Sequence, residues 1–585
     1  MKFIFSYVKK YYGAMALIVV LKSGAAFSEL LIPYVLEHLI DDVAPRRDLT
    51  AVGLCAVIML FLAVMVRVLN VAANRRTVRV SRDAIYRIRR DLFYHSVNLS
   101  GNQIDGFGLP SLTSRMTSDS YNVQNFIRSM LAMGIRAPVL LVGGIIISLR
   151  MDAGLASVLC VIAPIVLASV AFVSFKGVPM YEKVQKGLDT VVQVMRENIT
   201  GIRVVKALSK EDYEIRRFRG ANEDLTAKER KAGLVMAMPG PLMGFFLNIG
   251  LTLVVVYGAI RVNNGQTRPG VILAFLTYFN IILQGCMGVN RIFMMMSKAN
   301  ASANRIAAVI GQPEELAGIP GDAAAVPQGD GFLRFEHVSF RYGSNARDES
   351  GSFDGEEPRM SLTDISFSVP KGGCLGIIGA TGSGKTSIIN LLMRFYDPTE
   401  GHVFVDGRDV RTYDRDELHK MFGVVFQNDV IFADSIRENI TFGRDCTEEE
   451  IRGAAADACA AEFIEKYEDG YDHMAAIRGS NFSGGQRQRL LISRALAGNP
   501  EILVLDDSSS ALDYRTDAGV RRAIRENHGN ATTIIIAQRI SSIMSLDQIL
   551  VLDEGRIIGH GTHQQLMESC PQYREIYRIQ MGEEG

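Results

Sequence analysis

The sequence predicts a multi-domain chain, in which an all-α domain of six membrane-spanning helices precedes an α/β domain built around a phosphate-binding loop. Three observations predict this order. Apolar residues make up 48% of the chain against 22% charged residues, and they are concentrated in the first half. From Phe332 onward, short β-type runs alternate with helical patterns. Gly379 to Thr386 then match the pattern G-x-x-x-x-G-K-[ST].

Six apolar stretches each approach the roughly 20 residues that a spanning helix needs. They lie near 14–39, 50–73, 130–149, 153–175, 237–262 and 270–294. Two connections, 75–128 and 176–231, are long and rich in Arg and Lys, whereas the others are short. Because basic loops stay inside the cell, this pattern predicts six spans with both termini cytoplasmic. The alternative is six buried helices of a soluble protein, which the charge asymmetry disfavours.

Both long loops keep helical periodicity, so we expect the spanning helices to continue into the cytoplasm. Residues 1–12 are basic and apolar, as in an amphipathic segment on a membrane surface. A secretory signal is disfavoured, because the apolar stretch that follows is far longer than a signal peptide needs. We identify no intramembrane acidic residue that would indicate coupling to a cation.

The overall composition excludes several classes of protein. The formal net charge is zero, which argues against a nucleic-acid-binding protein that relies on phosphate contacts. The 7 cysteines are scattered and include no C-x-x-C pair. The chain therefore has no sequence pattern of a zinc site or of a disulfide framework.

Changes in composition divide the chain into three parts. We predict a membrane domain at 1–310, a linker rich in Gly, Pro and Ala at 311–330, and an α/β domain at 331–585. Within the last part, the stretch 343–358 is polar and acidic. It is predicted to be a mobile surface insertion.

The phosphate-binding loop lies between a short apolar run and a helical run. It consists of Gly379, Ala380, Thr381, Gly382, Ser383, Gly384, Lys385 and Thr386, and Ser387 continues the helix. Glycines let backbone N–H groups point at phosphate oxygens, and the helix N-terminus adds partial positive charge. Lys385 is expected to reach the β- and γ-phosphates, and Thr386 to offer its hydroxyl to Mg²⁺. The alternative is a Gly-rich turn that binds nothing.

Two further motifs suit a bound nucleotide. The apolar strand from Ile502 ends in Asp506 and Asp507, and the first of these carboxylates suits Mg²⁺. Between the loop and this strand, Phe482 to Gln486 place a serine and two glycines at the start of a helix. This arrangement predicts a second anion site. An ordinary Ser-capped helix remains the alternative.

The order of these motifs resembles the ATPase domain of ATP-binding cassette (ABC) transporters. The matching positions are Gly379–Thr386, Gln427, Phe482–Gln486, Asp506 and Ser510–Asp513. Six spans ahead of one cassette resemble a half-transporter of the exporter type, which includes bacterial multidrug exporters. The resemblance covers nearly the whole chain, although the membrane half matches by layout more than by residues.

The resemblance implies roles for further residues. Tyr342 resembles the aromatic residue that stacks on adenine, with a strand-end tyrosine as the alternative. Gln427 matches the glutamine that contacts Mg²⁺, so Thr386, Gln427 and Asp506 are the expected metal ligands. By layout, coupling helices are expected near 109–119 and 199–212.

The same resemblance assigns one motif to the ATP of a partner chain. Phe482 replaces the commoner leucine before this motif, an apolar change that we expect to be tolerated. The signature residues that match are Ser483, Gly484, Gly485 and Gln486.

Two residues depart from the family pattern within the catalytic set. The general base after the Mg²⁺ aspartate is usually glutamate, and here it is Asp507, one methylene shorter. The switch position is usually histidine, and here it is Gln538. Its amide keeps hydrogen bonding but cannot take up a proton at neutral pH as histidine can. Removing a positioned base typically lowers a rate by roughly 10²–10⁴-fold. The resemblance then implies that this chain's own ATP site hydrolyses ATP slowly. The chain would form a heterodimer that has one such impaired site and one competent site.

The expected function is ATP-driven export across a bacterial inner membrane, with ATP and Mg²⁺ as cofactors. The expected cargo is a drug, lipid, peptide or other amphiphilic small molecule. Expected partners are membrane lipid and a second half-transporter, with a heterodimer favoured over a homodimer and no nucleic acid. Two alternatives are a transporter of the same fold with one dedicated cargo, and a nucleotide-gated regulator or sensor that does not pump. Methionines in the spans suit promiscuous binding, although helix packing also explains them. The polar residues within the apolar runs could contact substrate or simply join helices: Asn248, Asn280, Gln284 and Asn290.

Overall fold

The computed structural model of the chain describes residues 1–313, 316, 331–343 and 360–581. These residues form two compact units, which are treated separately below. The N-terminal unit comprises Met1–Val97 and Pro110–Gln312, and the C-terminal unit comprises Asn98–Leu109 with the described residues from Pro313 onward. The predicted linker at 311–330 lies largely outside the described residues, as does the predicted insertion at 343–358 apart from Gly343.

The first 312 residues are helical, with short connections between the helices. The helices are α1 (Lys2–Val8), α2 (Tyr12–His38), α3 (Leu49–Val97), α4 (Gly101–Phe107), α5 (Leu109–Ser114), α6 (Ser120–Met133), α7 (Arg136–Met151), α8 (Ala153–Thr200), α9 (Ile202–Ala207), α10 (Glu211–Ala237), α11 (Pro239–Asn263) and α12 (Pro269–Ile310).

The described residues confirm the predicted membrane domain in outline. Five helical stretches are long and apolar enough to cross a membrane: Lys2–Arg46, Leu49–Val97, Leu109–Met151, Glu211–Asn263 and Pro269–Ile310. A shorter apolar stretch, Ala153–Val166, begins α8 where the fourth span is predicted. The 49 residues of α3 are about 74 Å long at 1.5 Å per residue, against a bilayer core of about 30 Å. This helix therefore continues well beyond the membrane, as the periodicity of the long loops predicts.

The interior of the helical unit contains charged side chains that have polar or charged partners. Glu29 on α2 lies within the first predicted span and accepts hydrogen bonds from Arg136 Nη2 at 2.8 and 2.7 Å. Lys22, two turns earlier on the same helix, donates to the side-chain oxygens of Asn70 and Asn74, each at 2.9 Å. Glu29 is thus an acidic residue within the first predicted span, and the guanidinium of Arg136 balances its charge.

The C-terminal unit has two sheets. The strands are β1 (Leu333–Phe340), β2 (Leu362–Val369), β3 (Cys374–Gly379), β4 (Glu400–Val405), β5 (Arg408–Asp409), β6 (Phe422–Val425), β7 (Ile502–Asp506), β8 (Thr532–Ile536), β9 (Gln548–Asp553) and β10 (Arg556–Gly561). The larger sheet has the order β10-β9-β3-β8-β7-β6, and all of its neighbours are parallel except β10 and β9. The smaller sheet has the order β2-β1-β4-β5 and is antiparallel.

Helices cover the larger sheet, and their burial explains the apolar runs in its strands. All five residues of β7 are buried, as expected for a central strand of a covered parallel sheet. The helices are α13 (Lys385–Leu392), α14 (Arg415–Lys420), α15 (Ile436–Thr441), α16 (Glu448–Asp457), α17 (Ala461–Ile464), α18 (Gly484–Leu496), α19 (Tyr514–Asn527), α20 (His563–Ser569) and α21 (Pro571–Met581).

A short segment of the first long loop packs within the C-terminal unit. The side chain of Ser100 caps α4. The N–H of Gly101 donates to the Phe395 carbonyl at 3.1 Å, and Tyr396 Oη donates to Asp105 Oδ2 at 2.7 Å. The first coupling helix expected by layout, at 109–119, lies after α4 and contains α5, and it stays a prediction. The second placement, 199–212, contains α9 in the N-terminal unit.

Candidate functional site

The predicted site residues converge at one edge of the larger sheet. Strands β3, β8, β7 and β6 are parallel neighbours, so their carboxyl ends lie side by side. The phosphate loop follows β3, Gln538 follows β8, Asp507 follows β7 and Gln427 follows β6. Open α/β sheets bind their ligands at this edge. Residues that are distant in the sequence therefore meet where a ligand is expected.

The phosphate loop turns tightly between β3 and α13. Gly382 and Gly384 have φ angles of +84° and +98°, values that strain any residue with a side chain. A Cβ added to Gly384 would also lie 2.5 Å from the side chain of Leu362. Both the conformation and the space therefore require glycine at Gly384.

The ammonium group of Lys385 is held inside the loop. Its Nζ donates to the carbonyl oxygens of Gly379 at 3.0 Å and Ala380 at 2.7 Å. Burial lowers the pKa of Lys385, while the carboxylates of Asp506 and Asp507 raise it. The loop thus presents a cation at the place where the predicted phosphates would bind.

The residues predicted to hold a metal supply oxygen ligands. Thr386 Oγ1 donates to Asp506 Oδ2 at 3.2 Å, and burial raises the pKa of Asp506. Mg²⁺ is usually held by one or two carboxylates together with substrate phosphates. The described residues contain no group of three or more His, Cys, Asp or Glu side chains that could hold a metal by themselves. The donor set therefore fits a Mg²⁺ ion shared with a bound phosphate.

Gln427 lies at the same edge but is separate from this pair. It follows β6 by two residues, and its side chain is exposed. Within the described part of the chain it donates no hydrogen bond to Thr386 or Asp506. Its predicted contact with Mg²⁺ thus requires the bound state.

Asp507 and Gln538 are in direct contact. Gln538 Nε2 donates to Asp507 Oδ2 at 3.0 Å. Burial raises the pKa of Asp507, whereas Arg539 and Lys385 lower it. Both side chains line a cavity of about 460 Å³. One oxygen of the predicted base is therefore engaged by an amide donor.

The loop after Asp507 is fixed by local hydrogen bonds. Ser510 Oγ donates to the carbonyl of Asp507 at 3.0 Å. Asp513 caps α19 by accepting the N–H of Thr516 at 3.0 Å. The segment that resembles the loop joining two ATP sites is thus anchored to the base position itself.

A residue that the sequence analysis missed holds the switch segment. Gln580 on α21 donates its amide to the carbonyl of Gln538 at 2.7 Å and accepts the N–H of Ile540 at 2.8 Å. No motif surrounds Gln580, and it lies 42 positions after Gln538. Only the folding of the C-terminal helix against this loop identifies it.

Tyr342 lies beside the helix that begins at the phosphate loop. Its hydroxyl lies 2.9 Å from Ser387 Oγ and accepts a hydrogen bond from Asn390 Nδ2 at 3.2 Å. Its ring makes edge contacts with Phe340 and Tyr396, at centroid distances of 4.8 and 5.1 Å. The half-buried ring is therefore held in one orientation next to the predicted nucleotide site.

The signature segment begins α18 with a reciprocal cap. Ser483 Oγ accepts the N–H of Gln486 at 3.2 Å, and Gln486 Oε1 accepts the N–H of Ser483 at 2.8 Å. A Cβ added to Gly485 would lie 3.2 Å from the carbonyl oxygen of Ala511. The Ser-capped helix considered as the alternative is present in this state of the protein. Its first turn still offers the unpaired N–H groups of a helix N-terminus.

Phe482, which replaces the commoner leucine, is enclosed by other aromatic rings. It is buried, with centroid distances of 6.4 Å to Phe463, 6.3 Å to Tyr467 and 6.2 Å to His473. The larger side chain therefore has a matching apolar environment.

Family models match both units in the predicted order. Residues 15–287 match the model described as the ABC transporter transmembrane region. Residues 362–510 match the model described as ABC transporter. The expected combination of a membrane domain and an ATPase domain in one chain is confirmed.

Known proteins resemble the chain over its whole length. An uncharacterized ABC transporter ATP-binding protein of Bacillus subtilis, YfiB, is 34% identical over 99% of this chain and 98% of its own. A protein with the same description from Mycobacterium tuberculosis is 32% identical over 97% of this chain and 96% of its own. A solved bacterial Atm1-family ABC exporter with ATP bound has the same fold, with a TM-score of 0.79 over 99% of both chains at 23% identity. The chain therefore belongs to the ABC transporter family.

Proposed function

We propose that this chain is one half of an ATP-driven exporter of drugs, lipids, peptides or other amphiphilic small molecules, and that its second half is a non-identical chain. ABC exporters of this fold work as dimers. In a head-to-tail pair, each ATP site combines the phosphate loop and carboxylates of one cassette with the signature of the other. Two different chains then form two unequal sites.

The residues at the sheet edge contact different parts of the bound nucleotide. Lys385 exchanges its contacts with the loop carbonyls for contacts with the β- and γ-phosphates. Thr386, Asp506 and Gln427 would hold Mg²⁺, which when bound would neutralise charge on the phosphates. Tyr342 presents its ring to the adenine.

The hydrogen bond between Gln538 and Asp507 is the observation that carries the proposal of unequal sites. Asp507 is shorter than glutamate, and the amide of Gln538 occupies one of its oxygens at 3.0 Å. That oxygen is less available to orient an attacking water. Because loss of a positioned base typically costs roughly 10²–10⁴-fold in rate, the site on this chain's own phosphate loop binds ATP and hydrolyses it slowly.

The signature of this chain serves the other site. Its serine and glycines match the family pattern, and Ser483 with Gln486 already shapes the helix N-terminus that faces the partner's ATP. A homodimer would contain two slow sites. A partner with glutamate and histidine at the positions of Asp507 and Gln538 restores one fast site.

The test is ATPase rate and ATP-driven flux in the purified pair reconstituted in vesicles. Gly485→Asp should abolish both, because it places a carboxylate against the partner's γ-phosphate. Gly485→Ala is the matched control, since it adds the same Cβ near Ala511 without the charge. Equal activity of the two variants would contradict the assignment of the signature.

The same vesicles separate the proposal from its alternatives. Fast ATP turnover by this chain alone, abolished by Asp507→Asn, would replace the heterodimer with a homodimer in which Asp507 is the base. Nucleotide-dependent conformational change without flux would instead identify a regulator or sensor. If many candidate cargoes were tested and ATP drove the flux of only one, the chain would be a dedicated transporter of that cargo.

A further inference from the structure

The N-terminal unit contains a cavity of about 630 Å³ among α6, α7, α11 and α12. A cavity of this size suits a drug-sized ligand. Three of its lining residues are methionines, Met133, Met243 and Met287. Thioether side chains adapt to ligands of varied shape. The apolar part of the cavity is therefore suited to a flexible or variable hydrocarbon body.

The cavity lies in the inner half of the predicted membrane domain. Arg136, one of its lining residues, precedes Met151 at the outer end of α7 by 15 positions (151 − 136). This distance is about 22 Å along the helix, against a bilayer core of about 30 Å. By the predicted topology, a ligand would reach the cavity from the cytoplasm or from the inner leaflet.

Positive charge exceeds negative charge around the cavity. Arg136 Nη2 is paired with Glu29, but its buried Nε has no hydrogen-bond partner among the described residues. Arg291, also in the lining, is exposed and forms no ion pair or hydrogen bond with the residues that the structure describes. On α2, seven positions before Glu29, buried Lys22 donates to the neutral side-chain amides of Asn70 and Asn74. Glu29 therefore balances one cation and leaves an excess of positive charge.

We propose that this cavity binds an anionic amphiphile, a molecule with an acidic head and an apolar body; this deepens the proposed export function and rests on it. Arg291 binds the acidic head, and Gln284 and Arg136 supply further donors. The methionines contact the apolar body. A charge-assisted hydrogen bond to an anionic ligand satisfies the charge of Arg291.

The proposal can be tested by equilibrium binding to the purified full-length protein in nanodiscs of zwitterionic lipid. Three fluorescent probes share one ring system: 5-dimethylaminonaphthalene-1-sulfonate, its neutral sulfonamide and an ammonium-bearing sulfonamide. Empty nanodiscs give the contribution of lipid partition. The sulfonate should bind about tenfold or more tightly than the other two, as expected for hydrogen bonds to a charged group.

Variants of the lining separate charge from shape. Arg291→Ala should weaken sulfonate binding about tenfold and leave the neutral probe unchanged, whereas Arg291→Lys should keep most of the affinity. Glu29→Gln should strengthen sulfonate binding, because it frees the charge of Arg136. Gly240→Leu should weaken all three probes, since a Cβ at Gly240 meets no atom within 4 Å and a larger side chain fills the cavity. Arg150→Ala, an exposed arginine outside the lining, is the control without effect.

Two results would overturn the proposal. Equal affinity for the three probes would exclude a preference for anions. Sulfonate binding that stays within twofold in both Arg291→Ala and Gly240→Leu would place the probe outside this cavity. The export function is judged separately by flux, because ATP-driven transport of neutral or cationic cargo alone would refute only the substrate class.

Discussion

Gln538 donates its side-chain amide to Asp507 over 3.0 Å, so the two positions at which this chain departs from the usual catalytic residues of its family are in contact with each other. A glutamine needs an acceptor, and a short aspartate at this edge supplies one. The side-chain amide of Gln538 and the carboxylate of Asp507 are therefore hydrogen-bond partners of each other. We infer that the two departures act together.

Restoring the usual residues should raise the rate of the slow site. In a purified pair whose partner site is inactivated, so that only this chain's own site turns over, replacing Asp507 with Glu and Gln538 with His is expected to increase ATP turnover severalfold, toward the roughly 10²-fold that a positioned base provides. Asp507→Asn should change turnover by less than twofold. A large loss with Asp507→Asn would show that Asp507 already acts as the base.

Lys385→Ala should weaken ATP binding at this chain's own site by about tenfold or more, because it removes a charged donor to the phosphates. The control is Lys371→Ala, an exposed lysine of the same unit that pairs with Glu501 at 3.2 Å. Nucleotide titration of the purified protein measures both. Equal affinities in the two variants would refute the phosphate-loop assignment.

Tyr342→Ala should cost about 1–3 kcal/mol of nucleotide binding, by analogy with base stacking on aromatic residues. Tyr342→Phe is the matched variant, since it keeps the ring and loses only the hydroxyl that lies near Ser387 and Asn390. The prediction holds if phenylalanine retains most of the affinity. If both variants lowered nucleotide affinity only slightly and equally, Tyr342 would be a strand-end residue of the core that does not stack on the base.

Tyr396→Phe should reduce transport per ATP hydrolysed, because it removes the hydrogen bond to Asp105 on α4, worth about 1.5–3 kcal/mol as a bond to a charged group. The ring and its packing remain. Tyr413→Phe also removes a buried tyrosine hydroxyl, one that donates to the neutral Val405 carbonyl at 2.8 Å away from α4, and serves as the control. Unchanged coupling in Tyr396→Phe would assign the contact to stability alone.

The orientation in the membrane can be tested by cysteine labelling in a Cys160→Ser background, since Cys160 is an exposed thiol. Asn264→Cys should react with an impermeant reagent outside intact cells, and Gly220→Cys should react only after lysis. Gly101 is unsuitable as an inner position, because its added Cβ would lie 2.4 Å from the Tyr396 ring. Labelling at Gly220 in intact cells would invert the predicted topology.

Local patterns in the sequence were sufficient for the fold class and the main motifs. Apolar length identified the spans, because a helix in lipid must satisfy its own backbone and remain apolar over the bilayer. The glycines and Lys385 identified the phosphate loop, because a tight turn and a cation are needed within eight adjacent residues. Asp507 and Gln538 were visible as departures because the residues around them match a known pattern.

Only the tertiary structure decided which distant residues meet. The parallel order of β3, β8 and β7 brings Gln538 to Asp507. The docking of α21 brings Gln580 to the switch segment, and the packing of α4 brings Asp105 to Tyr396. Within the helical unit, the pairing of Glu29 with Arg136 and the isolation of Arg291 create a cavity with excess positive charge. Such contacts join residues that share no local sequence pattern. The energy of each contact depends on burial and on the distance between the side chains, and neither can be seen in the order of residues along the chain.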